Sequence, residues 1–319
     1  MLAVAVLALA LLTACGGSSR PEAAPKSDTA AAAASGVDAT APDGRGAIRP
    51  LPALVGCTKT ATDAPSAKAF VAKVVPGDRI CITGDLGNFR MKVSYSGTEQ
   101  APIQIVGNGQ TTLRGIDVSG SNVLVDGFTV LNGKSPEISL RGTNVTLQNT
   151  VARGSSAPGG DNLYFFGDNI KIVHNTLGDN ANDPAVGPNC METFAADAGS
   201  QPSHNVLIEA NRCENTASNC LAAYGPHAPG GTGQGETTGI TFNNNYCKVN
   251  GAAAVSLVDV QNATITGNTV EDPNHAWSLR NNSTGAKIAD NTLTGAKYET
   301  GMDGTSKLGY QGPPVGGNP

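Results

Sequence analysis

Apolar and polar residues alternate in short bursts along this chain, and the same burst returns at intervals from residue 101 onward. The copies read NVLVDGFTV (122–130), NVTLQNTVA (144–152), NIKIVHNTL (169–177) and NVLIEANRC (205–213). They continue as GITFNNNYC (239–247), NATITGNTV (262–270) and GAKIADNTL (285–293), after a degenerate first copy, APIQIVGNG (101–109). Alternation with a period of two predicts a strand in each copy, not a helix. The copies begin 22, 25, 36, 34, 23 and 23 residues apart, and repeats of this length belong to solenoids or arrays. A second strand precedes most copies. Examples are Leu163-Tyr164-Phe165-Phe166, Met191-Glu192-Thr193-Phe194 and Leu221-Ala222-Ala223-Tyr224, whose first and third residues are expected in the core and second and fourth outside.

A coil of about 22 residues holds two or three short strands with their turns, too few for a propeller blade and without the Leu frame of a leucine-rich repeat. The fold class expected is therefore all-β, a single-domain right-handed parallel β-helix over residues 51–296. Its rungs would stack at about 4.8 Å. Val123, Val145, Ile170, Val206, Ile240, Ala263 and Ala286 form one inward column. Asn175, Asn211, Asn245, Asn268 and Asn291 form another, suited to a ladder of stacked amides. On these columns the chain resembles the pectate-lyase-like β-helix superfamily over roughly residues 55–295. Such helices commonly carry a short N-terminal capping helix, for which Ala64–Val75 is the segment expected. The resemblance implies a fold and does not fix an activity.

The same register pairs cysteines. Cys213 and Cys247 share one position of consecutive copies, and Cys190 and Cys220 precede the second strand of consecutive rungs. The bonds expected are Cys190–Cys220, Cys213–Cys247 and, from what remains, Cys57–Cys81. Setting aside Cys15, the other six of the seven cysteines make an even set, which fits an exported protein. Residues 2–14 are an unbroken run of Leu, Ala, Val and Thr, too short for a membrane span and the length of a secretory apolar region. It ends in Leu12-Thr13-Ala14-Cys15-Gly16, which resembles the lipobox of bacterial lipoproteins. That implies lipidation of Cys15 and residence at the bacterial cell envelope, anchored by lipid only. Residues 15–50, rich in Ala, Pro, Gly and Ser, read as a flexible tether. Residues 297–319 read as a largely disordered tail.

Composition removes some functions. Charged residues are 15% of the chain and the net charge is −5, with no basic run, so nucleic acid is not expected as a partner. The two longest intervals carry extra residues in loops near 178–189, 196–204 and 225–238, and loops on a rigid scaffold commonly carry function. Beside them the outward residues Tyr164, Phe166, Phe194 and Tyr224 form an aromatic group suited to stacking on sugar rings. The expected partner is a polysaccharide or cell-envelope glycan, bound by a monomer. Glu192 is the sharpest candidate for catalysis, with His227 and Arg280 as further catalytic candidates. Asp161 and Asp197 are candidate ligands for Ca²⁺. Glu192 paired with Asp161, Asp168 or Asp197 would suit a glycosidase, whereas neutralising a uronate with Arg or Ca²⁺ would suit a polysaccharide lyase. The alternative is a β-helix that binds glycan or protein without turnover. Lys134 and Arg141 fall on the N-terminal rungs, away from the long loops.

Overall fold

The computed structural model describes residues 40–156, 159–180, 187–196, 200–250 and 253–317. The apolar leader, Cys15 and Asp197 lie outside the described residues. The fold is the expected parallel β-helix. Each coil has three strands, as in Met191–Phe194, His204–Glu209 and Arg212–Thr216, and each strand pairs in parallel with its counterpart in the next coil. The first strands of successive coils form one long sheet: Gly115–Val118, Ile138–Thr143, Leu163–Asp168, Met191–Phe194, Leu221–Tyr224, Ala253–Val258, His275–Arg280 and Tyr298–Met302.

Local chemistry explains why each copy starts with Asn or Gly. The chain turns between the first and second strands through a left-handed residue, and Asn and Gly adopt that conformation most readily. Asn122, Asn144, Asn169, Asn205 and Asn262 all have φ between 51° and 56°, and Gly239 and Gly285 both stand at 70°. The apolar column from Val123 to Ala286 is at most 2% exposed throughout.

The amide ladder closes the next turn. Asn211 Oδ1 accepts from both the backbone N–H and the Nδ2 of Asn175, at 2.8 and 3.0 Å. Asn245, Asn268 and Asn291 repeat the pattern one coil further on each time. Each Nδ2 also donates to a backbone carbonyl: Leu147, Ile172, Ile208, Phe242 and Ile265 in turn. Buried amides are thus satisfied up the whole column.

The capping helix runs Ala64–Val71, shorter than expected, and buries Ala67 and Val71. Asp63 caps it by accepting from Ser66 N–H at 2.7 Å. The Cys57–Cys81 disulfide lies beside it, with Cα atoms 5.6 Å apart.

Three expectations need correction. First, the other disulfides are Cys190–Cys213 and Cys220–Cys247, each with Cα atoms 6.1 Å apart. Cys213 and Cys247 are indeed register neighbours, but side chains on neighbouring parallel strands project side by side. A disulfide needs its Cβ atoms about 3.8 Å apart, and bonding across the lumen between facing columns meets that need better than bonding up one column.

Second, residues 40–50 are not a free tether but a strap along the outside of the coils. Arg45 donates to Thr269 Oγ1 (2.6 Å) and Asn244 Oδ1 (3.1 Å). Gly46 N–H donates to Ala210 O (2.8 Å), Ala47 N–H to Thr176 Oγ1 (2.9 Å), and Arg49 Nη1 to Asn149 O (2.9 Å). The strap thereby crosses five coils in descending order. Only glycine fits at position 46, where φ is 89° and a Cβ would stand 2.6 Å from Thr176 Oγ1.

Third, the C-terminal segment is built into the fold. Tyr298–Met302 adds a further strand to the first sheet, and Gln311 and Val315 bridge to Lys287 and Thr300.

Candidate functional site

The first sheet stacks its outward side chains in register. One column runs Asp117, Ser139, Tyr164, Glu192, Ala222, Ser256 and Ser278. Two residues along, Arg141 neighbours Phe166, and Phe194, Tyr224, Val258 and Arg280 follow one another on successive coils.

Tyr164 and Glu192 meet a buried acid at the start of this sheet. Asp161 is 3% exposed. Its Oδ1 accepts from the backbone N–H and Nδ2 of Asn189, at 2.7 and 3.1 Å. Its Oδ2 accepts from the Tyr164 hydroxyl at 2.9 Å. The same Asn189 Nδ2 lies 3.2 Å from Glu192 Oε2, and Glu192 is hydrogen-bonded to Asp161. Burial pushes the Glu192 carboxyl up to about 8, and the charge of Asp161 pushes it the same way. Burial also raises Asp161. Two acids this close titrate as a unit, not as separate groups. Burial, followed by the charges of Asp161 and Glu192, raises the Tyr164 phenol and keeps it protonated. Tyr224 is raised first by burial and then by Glu192.

Tyr164 and Phe194 also border a cleft of 470 Å³ whose other walls include Arg90, Asp117, Ser139 and Arg141. The aromatic residues do cluster. Tyr164 and Phe166 each meet Phe194 edge to face, with centroids 5.2 and 5.0 Å apart. Phe166, however, is fully buried and cannot touch a ligand; it lies beneath Arg141, whose guanidinium carbon stands 4.4 Å over its ring. Arg141 is therefore part of the site, contrary to its expected place away from it. The register Phe166–Arg141 was available in the repeat alignment as the fourth positions of adjacent first strands. Arg90 is neutralised by Asp117 at 2.6 and 2.8 Å. Among the described residues Arg141 has no carboxylate partner, which leaves it as the cleft's uncompensated cation.

Sequence reasoning missed Asn189 as well as Arg141. Asn189 precedes Cys190 in a turn, and no repeat position marked it.

His227 and Arg280 are placed differently. His227 is held by Asp259, whose Oδ2 lies 2.7 Å from its backbone N and 3.2 Å from its Nδ1. Arg280 Nη2 donates to Ser256 Oγ at 3.3 Å. Among the described residues no hydrogen bond or ion pair joins either to Glu192. Among the described residues no three His, Cys, Asp or Glu side chains gather as a metal site. Asp161 fits Ca²⁺ poorly, since N–H and O–H donors already engage both its oxygens.

A model of the right-handed β-helix region matches residues 80–293. The chain belongs to the right-handed β-helix family. No characterised relative matches it by sequence. Among solved structures it is similar to the PL6 family alginate lyase AlyGC, at 19% identity and TM-score 0.61, over 75% of this chain and 35% of that one. It is similar to an alginate lyase from Paenibacillus sp. str. FPU-7 at 15% identity and TM-score 0.53, over 78% of this chain and 99% of that one. The GH136 lacto-N-biosidase from Eubacterium ramulus follows at 13% identity and TM-score 0.50, over 75% and 56%. At these identities the likeness is one of fold, and this β-helix spans about a third of the AlyGC chain. Its three disulfides belong to an oxidising compartment outside the cytosol, and no helix among the described residues is long and apolar enough to cross a membrane.

Proposed function

We propose that the cleft over the first sheet binds an acidic polysaccharide and cleaves it by β-elimination, as a polysaccharide lyase. The observation that carries this reading is Arg141, a cation without a carboxylate partner among the described residues, set on an aromatic ring at a cleft. A guanidinium in that position suits the carboxylate of a uronate, and Tyr164 and Phe194 offer rings to the sugar faces. The acid pair argues against hydrolysis. Glycosidases of the two common kinds separate their carboxyl groups by about 5–5.5 or 6.5–9.5 Å, whereas Asp161 and Glu192 lie within hydrogen-bond reach of each other. The fold itself is compatible with glycan chemistry, since alginate lyases and a lacto-N-biosidase share it. The Leu12–Gly16 segment supports anchorage at the cell envelope through lipid on Cys15.

A second reading is glycan binding without turnover. It draws on His227 and Arg280, which engage Asp259 and Ser256 instead of the acid pair. One experiment separates the readings. Residues 40–319 with disulfides intact are incubated with polyuronates and neutral glycans, and fragments are weighed. Fragments lighter by one water mean elimination, and fragments heavier by one water mean hydrolysis and overturn the lyase reading. Binding with no fragment selects the second reading.

A further inference from the structure

We propose that Tyr164 is the proton-transfer residue of the cleft and that Asp161 is its buried proton acceptor. The proposal rests on the β-elimination reading above. Its basis is a hydrogen-bond chain leading from the cleft into the protein. Tyr164 lines the cleft, and its hydroxyl donates to Asp161 Oδ2 at 2.9 Å. Asp161 is almost wholly buried and is hydrogen-bonded in turn to Glu192. Asn189 fixes both acids, donating twice to Asp161 Oδ1 and once to Glu192 Oε2. Three donors aimed at the two oxygens of Asp161, from Tyr164 and twice from Asn189, are the surroundings of a carboxylate able to take a proton. Ser135, whose Oγ accepts from the Asp161 backbone N–H at 3.0 Å, is also hydrogen-bonded to the phenol and would steady an oxygen that gains negative charge. A general acid–base group needs hydrogen-bond reach to its proton and a partner to pass it on, and Tyr164 has both.

The step balances without a co-reactant. The phenolic proton passes to Asp161 Oδ2 as the phenol oxygen takes the proton from C5 of the uronate. The C5–H electron pair moves into the sugar carboxylate as an enolate, whose charge Arg141 faces. That pair then forms the C4=C5 double bond, and the C4–O4 bond breaks with its electrons staying on O4. O4 takes the proton from Tyr164, and Asp161 returns its proton to the phenol. The enzyme ends as it began, with one proton moved from C5 to O4.

The test compares wild type, Tyr164→Phe and Asp161→Asn on a polyuronate, reading unsaturated product by absorbance and mass and binding separately. Tyr164→Phe keeps the ring contacts with Phe166 and Phe194, so binding is expected unchanged while kcat falls at least about 100-fold. Asp161→Asn should lower kcat comparably; should it not fold, Tyr164→Phe decides alone. An active wild type with an equally active Tyr164→Phe overturns this proposal and leaves the lyase reading standing. So does a change confined to KM, which would mean that Tyr164 only stacks. A wild type that binds polyuronate yet releases no unsaturated product overturns both.

Discussion

Asn189 joins Asp161 and Glu192 through one amide nitrogen, 3.1 Å from Asp161 Oδ1 and 3.2 Å from Glu192 Oε2. The amide favours the ionised carboxyls, but burial, and for Glu192 the charge of Asp161, outweigh it and raise both acids, which makes stability depend on pH. The folded Glu192 carboxyl titrates at about 8, above its ordinary value of 4.5. Buried Glu137, raised by desolvation, also titrates at about 8. Acids raised on folding bind more protons in the folded state, so their contribution is fully present below their unfolded values and lost as pH rises through about 8. Thermal melts should therefore show Tm falling between pH 5 and pH 9, and Glu192→Gln should flatten part of that fall. A rising Tm over this range would contradict the assignment. The lowered acids Asp63, Asp78, Asp85 and Asp303 act in a separate window, losing stability below about pH 4.

The amide ladder predicts a position-dependent cost. Asn245→Ala removes the acceptor of Asn211 N–H and Nδ2 and the donor to Ile208 O, all inside the wall. Asn291 stands at the partly exposed end of the column. Leaving buried groups unpaired costs about 1–3 kcal/mol each. Asn245→Ala should lower unfolding free energy by about 3 kcal/mol, and Asn291→Ala by clearly less, as denaturant titration would show.

The ladder and the inward column were legible because each depends on one residue repeated at one place in every coil. The left-handed turns explain why those places read Asn or Gly. Glu192 stood out for a related reason, since alternation alone puts it outside. What surrounds Glu192 was legible only in part: Asp161 was a candidate partner, but Asn189 was not. Asp161 and Asn189 lie in irregular turns, and only packing brings them together around one amide. Phe166 was misread because alternation points it outward while Arg141 and its aromatic neighbours cover it. The strap at 40–50 has no periodicity at all: its hydrogen bonds run to backbone and side-chain groups of coils more than a hundred residues away.

Arg141 yields a binding prediction. If its guanidinium takes a uronate carboxylate, Arg141→Ala removes a charge-assisted bond worth about 1.5–3 kcal/mol. Polyuronate affinity should fall about 10- to 100-fold while neutral glycan binding stays unchanged, and Tm should fall slightly as Phe166 loses its cover. Calorimetry in low and moderate salt reads both. Equal losses for acidic and neutral glycans would mean that Arg141 acts only by covering Phe166.

The strap predicts that truncation has a threshold. Removing residues 1–38 leaves every described contact of residues 40–50 in place. Removing residues 1–50 takes away Arg45 and Arg49 and their bonds to Thr269, Asn244 and Asn149. Hydrogen bonds from charged donors are worth about 1.5–3 kcal/mol, so Tm should drop by several degrees only in the longer truncation. Hydrogen exchange should rise along the turns the strap crosses. Equal melts would make the strap incidental.

The two lumen-crossing disulfides can be told from column pairing by which cysteines depend on each other. With Cys190 bonded to Cys213 and Cys220 to Cys247, a non-reducing digest should yield those two linked peptides. Replacing Cys220 and Cys247 together by Ala removes one bridge, and about 2–4 kcal/mol is expected to go with it. Replacing Cys213 and Cys247, neighbours in the strand register, breaks both bridges and strands Cys190 and Cys220 as thiols in the core. That variant should lose roughly twice as much and, made as residues 40–319 so that Cys15 is not counted, should titrate two free thiols after unfolding, where the first variant titrates none. If instead the register pair behaves as the single bridge, with no thiol released, the bonds run up the column and the cross-lumen arrangement is wrong.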